Sequence, residues 1–172
     1  MSSFETLTFS TVLLAVTEKI SIFGTVHVPL IHPIFAAKQL VTADHVGKGR
    51  MALNIVAGWN FDEFAMFGEA PLEHDARYDY AQEWWKIVER IWSEEGPFDF
   101  KGEHFDLQNI VGDPKPYLGL RLATMNAGAS PVGRKFGASN FDFLFTPLRD
   151  FESATKDIAE IKELAKKVGN QI

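Results

Sequence analysis

The stretch RMALNIVAGWNFDEFAMFGEAPLEHDARY, residues 50–78, decides the fold of this chain. Its apolar run from Met51 to Ala57 predicts a strand, which the sequence Gly58-Trp59-Asn60 ends. A polar segment then leads to His74-Asp75-Ala76-Arg77-Tyr78, at the head of a long helical pattern. A strand that ends in polar and aromatic residues close to a helix start is a common way to build a ligand site in α/β proteins. We therefore expect a ligand site here.

Strand and helix patterns alternate on both sides of this stretch. Short apolar runs predict further strands at residues 20–28, 120–125 and 141–146. Apolar residues at steps of three and four predict helices at residues 5–17, 34–46, 74–93, 132–139 and 150–168. A short turn is expected at residues 62–67, and the alternation around Lys101-Gly102-Glu103 predicts a small β-hairpin outside the main sheet.

The alternation of strands and helices implies a parallel sheet of four strands, in a single α/β domain over residues 1–172. Periodicity alone leaves two arrangements open. The four strands form either an open doubly wound sheet or half of an eight-stranded barrel. A complete barrel takes about 250 residues, and this chain of 172 residues is too short for one.

Composition narrows the classes of function. The net charge of -6 argues against a nucleic-acid or anionic-membrane surface, because either needs clustered Lys and Arg. The absence of cysteine excludes disulfides and thiolate metal sites, and suits a reducing cytoplasm. The five histidines lack the close spacing of metal ligands, so no metal site is expected. The apolar run Val12 to Val16 is too short to span a membrane. We expect a cytoplasmic protein.

A series of segments spread over nearly the whole chain carries a family resemblance. They are TVHVPLIHPIFAAKQLVTADHVGKGR (25–50), LNIVAGWN (53–60), HDARYDYAQEW (74–84), FDFKGEHF (98–105), PKP (114–116) and MNAGASPVGRKFGASNFDFLFT (125–146). In this order they resemble the bacterial luciferase-like flavin-dependent monooxygenases, most of all the branch with pyrimidine, alkanesulfonate and dimethyl sulfone monooxygenases. The resemblance implies a partial (β/α)8 TIM barrel, truncated at both ends, with reduced FMN at the carboxyl ends of the strands.

The resemblance also implies five cofactor-binding residues. Asn54 matches a flavin-contacting position in the middle of a barrel strand, and Glu63 follows it at the family spacing. Arg77 and Tyr78 match an Arg-Tyr pair near the flavin phosphate, and Ser130 matches the serine of the phosphate-binding turn. No catalytic residue is identified, because the arginine and histidine that bind substrate in sulfonate-oxidising members have no counterpart here.

The residues themselves leave plainer interpretations open. Ser130, followed by Pro131, suits an ordinary helix N-cap. Arg77 could form a surface ion pair with Asp75 or Glu73, and Asn54 could be a buried residue bonded to neighbouring backbone. Two further residues, His27 and Trp59, lie near strand ends, where they would either line a pocket or simply pack.

The activity implied by the resemblance is an FMNH2-dependent monooxygenase. Reduced flavin and O2 form a flavin peroxide, which inserts one oxygen atom into a small organic substrate. A separate NAD(P)H-dependent flavin reductase supplies the reduced flavin in such systems. The alternative is a truncated, non-catalytic flavin-binding or interaction module. Unpaired strand edges at residues 20–28 and 141–146 further predict a homo-oligomer or an aggregation-prone chain.

Overall fold

The structure, a computed structural model, describes residues 4–58, 60–70, 72–146 and 150–170. The helices are α1 Thr6–Val16, α2 Pro33–Gly47, α3 Phe61–Met66, α4 Ala76–Ser93, α5 Pro131–Asn140 and α6 Phe151–Lys167. The strands are β1 Ile22–His27, β2 Met51–Val56, β3 Phe98–Lys101, β4 Asp106–Ile110, β5 Ala123–Asn126 and β6 Phe143–Leu144. Short 3₁₀ turns follow at Val28–Leu30 and Tyr117–Gly119. In the described ranges no helix is both long and apolar enough to cross a membrane.

The main sheet has four strands in the order β1-β2-β5-β6, and every neighbouring pair is parallel. Strands β3 and β4 form a separate antiparallel hairpin. Within the described part of the chain, β1 and β6 are the edges of the sheet. The predicted α/β class, with four parallel strands, alternating helices and a small hairpin, is confirmed.

The four predicted strands all extend beyond the observed ones at one end or both, since 20–28 gives Ile22–His27 and 51–57 gives Met51–Val56. The apolar run at 141–146 gives only the two-residue strand Phe143–Leu144. Phe141, the first residue of that apolar run, is 1% exposed. It packs against Trp85 and Phe136, with ring centroids 5.2 and 5.1 Å away. Strand β5 begins at Ala123 rather than at 120, three residues after a 3₁₀ turn that ends at Gly119 with Leu120 as its C-cap. The expected turn at 62–67 is the short helix α3.

The two faces of the sheet differ in burial. Val26, Ile55 and Thr124 are fully buried beneath the helices. Helix α4 covers this side with the predicted apolar stripe, in which Trp84 is fully buried and donates from Nε1 to the Ile31 carbonyl at 2.7 Å. Because an indole N–H rarely stays unpaired in a core, this bond fixes α4 against the loop after β1.

The opposite side of the sheet, here called the open face, carries alternate residues of the same strands. Thr25, Asn54, Met125 and Phe143 share one row of the register. The first three are half-buried and Phe143 is exposed. Side chains alternate between the faces of a strand, so polar residues in this row lie on the accessible side. In a barrel, this side would line the interior.

Candidate functional site

A cleft of about 300 Å³ lies at the carboxyl ends of β2 and β5. It is lined by residues 55–58, by residues 126–130, by Tyr78 in the first turn of α4 and by His74 just before that helix. The carboxyl ends of adjacent parallel strands meet at one edge of a sheet, which is where α/β proteins bind ligands. The cleft therefore has the position expected of a ligand site.

The turn after β5 is held in a tight shape by Asn126. This side chain is 2% exposed; it donates from Nδ2 to the Ile55 carbonyl at 2.8 Å, and its Oδ1 accepts from the Gly128 N–H at 2.8 Å. A Cβ at Gly128 would lie 2.8 Å from the Cα of Gly133. Only glycine lets the turn approach helix α5 this closely.

The turn places the N-terminus of α5 at the cleft. Ser130 is the N-cap and accepts from the Gly133 N–H at 3.2 Å, so the N-cap interpretation is confirmed. Within the described ranges, the N–H groups of Ala129, Ser130 and Val132 donate to no acceptor. Free N–H groups and the positive end of the helix dipole favour an anion. Ser130 can cap the helix and still belong to such a site.

Tyr78 contributes a hydroxyl to the same place. A Cβ at Gly133 would lie 2.5 Å from the Tyr78 hydroxyl oxygen, so the hydroxyl sits over the first turn of α5. The Tyr78 ring packs against Phe136 and His74, with centroids 5.6 Å away in both cases. His74 Nδ1 lies 2.7 Å from Asp75 Oδ1. The phenol is thus fixed by aromatic contacts on two sides.

Arg77 is buried rather than on the surface. It is 9% exposed, donates from Nη1 to the Gly58 carbonyl, and places its guanidinium carbon 5.8 Å from the Phe61 ring centroid. The interpretation as a surface ion pair with Asp75 or Glu73 is therefore wrong. Its buried Nε has no acceptor among the described residues. A buried donor without an acceptor is costly.

Asn54 and Glu63 lie on the β1 side of this edge, outside the cleft lining. Asn54 donates from Nδ2 to the Thr25 hydroxyl at 3.1 Å, and its buried Oδ1 has no partner within the described ranges. It is therefore bonded to a side chain and not to neighbouring backbone. Glu63 Oε2 lies 2.8 Å from His27 Nδ1. Trp59, which the sequence suggested as a pocket-lining or packing residue, lies outside the described residues.

The structure thus divides the five predicted site residues. Tyr78 and Ser130 line the cleft together, Arg77 supports its wall through Gly58, and the other two lie towards β1. Sequence reasoning did not single out Asn126, which shapes the turn. An Asn at the end of an apolar strand, two residues before a Gly, is the signal that could have found it.

Comparison with known proteins gives a consistent result. The sequence model of a family described as luciferase-like monooxygenase matches residues 1–172. The chain is 35% identical over 161 residues to the FMNH2-dependent dimethylsulfone monooxygenase of Pseudomonas fluorescens (strain Pf0-1), covering 94% of this chain and 43% of that protein. It is 36% identical over 143 residues to the pyrimidine monooxygenase RutA of Pseudomonas savastanoi pv. phaseolicola (strain 1448A / Race 6), covering 82% and 39%.

The fold agrees with a solved structure as well. The crystal structure of DmoA from Hyphomicrobium sulfonivorans superposes with a TM-score of 0.89 at 24% identity, covering 99% of this chain and 41% of that one. At this identity the match supports the fold alone. The chain therefore spans less than half the length of these relatives.

Proposed function

The chain belongs to the luciferase-like monooxygenase family, and from that premise we propose that it binds reduced FMN as part of an FMNH2-dependent monooxygenase. Bound FMNH2 supplies the electrons that activate O2, so that one oxygen atom is transferred to a small organic substrate. The relatives' names give two substrates of this kind, a sulfone and a pyrimidine. The reduced flavin would come from a separate NAD(P)H-dependent flavin reductase.

The observation that carries this proposal is the cleft at the N-terminus of α5. It combines unpaired backbone N–H groups at residues 129, 130 and 132 with the hydroxyl of Tyr78 beside Gly133. Arg77, behind the wall of the cleft, adds a nearby positive charge and donates to the carbonyl of Gly58, which lines the cleft. These groups fit a phosphate monoester, which offers several acceptor oxygens and negative charge. A net charge of -6 does not oppose this, because the donors are local.

We assign the phosphate end of FMN to Ser130, Tyr78 and Arg77. Asn54 and Glu63 are assigned to the flavin-ring side of the site. This assignment is supported by the position of Asn54 on the open face, where it lies in the middle of β2 and donates to the Thr25 hydroxyl of β1. The cleft and the open face meet at the carboxyl end of β2, where residues 55–58 line the cleft and Asn54 lies within the strand.

The proposal is tested by titrating the chain with FMN, with FMNH2 under anaerobic conditions, and with riboflavin, which lacks the phosphate. Ser130→Ala and Arg77→Ala should weaken FMN binding by about 1 to 3 kcal/mol, the loss expected for a hydrogen bond to a charged group. Neither should weaken riboflavin binding as much. Lys135→Ala, an exposed change on the same helix, is the matched control. Equal losses for FMN and riboflavin would reject the phosphate assignment.

A second candidate is a non-catalytic flavin-binding module. The half-buried and exposed residues of the open face, such as Met125 and Phe143, favour it, because an accessible flavin is poorly shielded from water. Coupling with a flavin reductase separates the candidates. A monooxygenase gives oxidised substrate in proportion to the NAD(P)H consumed, whereas a binding module gives hydrogen peroxide and no product.

A further inference from the structure

The open face carries a second polar group at its carboxyl edge, formed by His27 and Glu63. His27 ends β1, two residues after Thr25, so both side chains lie on the open face. Glu63 comes from the first turn of α3. His27 Nδ1 and Glu63 Oε2 are 2.8 Å apart, and the side chains are 29% and 34% exposed. The pair is therefore partly shielded and still accessible.

Packing of α3 holds Glu63 in place. The next residue, Phe64, is 3% exposed, and a Cβ at Gly58 would lie 2.5 Å from its ring. Gly58 also has φ +100°, a conformation that glycine adopts without strain. The loop after β2 thus packs over Phe64. The buried Phe64 side chain fixes the position of the neighbouring Glu63.

The contact with Glu63 favours one of the two neutral forms of the His27 ring. An ionised carboxylate only accepts hydrogen bonds, so an oxygen 2.8 Å from Nδ1 favours the form with its proton on Nδ1. In the neutral ring, Nε2 is then left as an acceptor. Among the described residues, Nε2 of His27 makes no hydrogen bond. The same arrangement orients histidines in metal and catalytic sites.

We propose that Glu63 is a positioning residue that fixes the tautomer of His27, and that His27 Nε2 accepts a hydrogen bond from an N–H donor of a heterocyclic ligand on the open face. The donor is either the flavin ring or a cyclic imide substrate. A sulfone has acceptor oxygens but no N–H donor, so it cannot donate a hydrogen bond to Nε2 of His27. The ligand half of this inference rests on the proposed function, whereas the tautomer half does not.

The tautomer is tested on the ligand-free chain by ¹⁵N NMR of its histidine rings. His27→Gln assigns the signals of His27 among those of the five histidines. At a pH where the ring is neutral, we expect the pattern of a single Nδ1–H tautomer in the wild type and a mixture in Glu63→Ala. Asp62→Ala, a change in the same helical turn, is the matched control and should leave the pattern unchanged. An Nε2–H tautomer in the wild type would overturn the inference.

The ligand is identified by titration with FMN, FMNH2, uracil and dimethyl sulfone. If the flavin is the donor, His27→Gln weakens flavin binding about three- to tenfold, as expected for one lost hydrogen bond. If the substrate is the donor, it weakens uracil binding by this factor in the presence of FMN. Dimethyl sulfone binding should not change in either case. If His27→Gln weakened the binding of dimethyl sulfone as much as that of uracil, the proposed selectivity for an N–H donor would be rejected.

Double substitution separates positioning from simple stabilisation. If Glu63 acts through His27, Glu63→Ala weakens binding in the wild type but has no further effect on the His27→Gln chain. Additive losses would overturn the positioning role. A folded chain that binds no flavin and no uracil rejects both the proposed function and the ligand half of the inference. Flavin and uracil binding that His27→Gln leaves unchanged rejects the inference alone.

Discussion

The hydroxyl of Tyr78 lies over Gly133, so closely that a Cβ at this glycine would be 2.5 Å from the hydroxyl oxygen. The same Cβ would lie 3.0 Å from the Cα of Gly128 and 3.1 Å from Ser130 Oγ. Helix α4, the turn after β5 and helix α5 therefore come together at Gly133, where a side chain would not fit. The cleft has this shape because residue 133 is a glycine.

Gly133→Ala should consequently displace Tyr78 or the turn and weaken FMN binding. The loss of one or two phosphate contacts corresponds to a fall in affinity of about 10- to 100-fold. Fluorescence titration with FMN measures it, with Lys135→Ala on the same helix as the control. An unchanged dissociation constant would show that the contact between Tyr78 and residue 133 has no part in flavin binding.

Arg77→Met should lower the free energy of unfolding by about 1 to 3 kcal/mol, because it leaves the Gly58 carbonyl without its donor. Arg77→Lys keeps one charged donor and should recover part of the loss. Urea unfolding of the three chains provides the measurement. If Arg77→Met is as stable as the wild type, the bond to Gly58 does not hold the loop after β2.

We predict that Asp44 lowers the free energy of unfolding as pH rises. Burial raises the pKa of this carboxyl above its ordinary value, although the N–H groups of Tyr117 and Met51 act in the opposite direction. A raised carboxyl pKa in the folded state favours the protonated form, so its contribution is present below about pH 4 and is lost as pH rises through the folded pKa.

The comparison that isolates this effect is Asp44→Asn, which keeps an acceptor for the Tyr117 N–H but does not titrate. The free energy of unfolding of the wild type should fall relative to that of the variant between about pH 4 and neutral pH. Urea unfolding at several pH values measures the difference. Parallel curves for the two chains would contradict the prediction.

Glu83 should tie the hairpin β3–β4 to helix α4. Its carboxylate accepts from the N–H groups of Glu103 at 2.7 Å and His104 at 3.0 Å. Burial opposes ionisation, but these bonds outweigh it and lower the pKa of Glu83. In Glu83→Ala, amides of residues 98–110 should exchange with deuterium faster than in the wild type. Glu89→Ala, on an exposed part of the same helix, should leave this exchange unchanged.

The homo-oligomer stays a prediction, and the structure supplies its physical reason. Among the described residues, β1 and β6 are unpaired edges of the sheet, and Phe143 and Phe145 are 53% and 59% exposed. Unpaired edges with apolar neighbours favour association. Light scattering at micromolar concentration should show species heavier than one chain. A sharp monomer peak would contradict this.

Much of the fold followed from local patterns. The strand at residues 51–57 and the helix at 74–93 were predicted almost to their ends, because apolar periodicity is a local property of the chain. The last strand was predicted too long because Phe141 is apolar for another reason, its packing against Trp85. Sequence periodicity cannot tell which neighbour an apolar side chain will bury against.

The sequence by itself determined the α/β class, the family resemblance and the presence of Tyr78 and Ser130 near a helix start. Only the tertiary structure decided that Arg77 binds the Gly58 carbonyl, that Glu63 meets His27, and that Gly133 leaves room for Tyr78. These relationships join residues from 19 to 55 positions apart, and whether such side chains meet depends on how strands and helices pack. Local patterns carry no information about that packing.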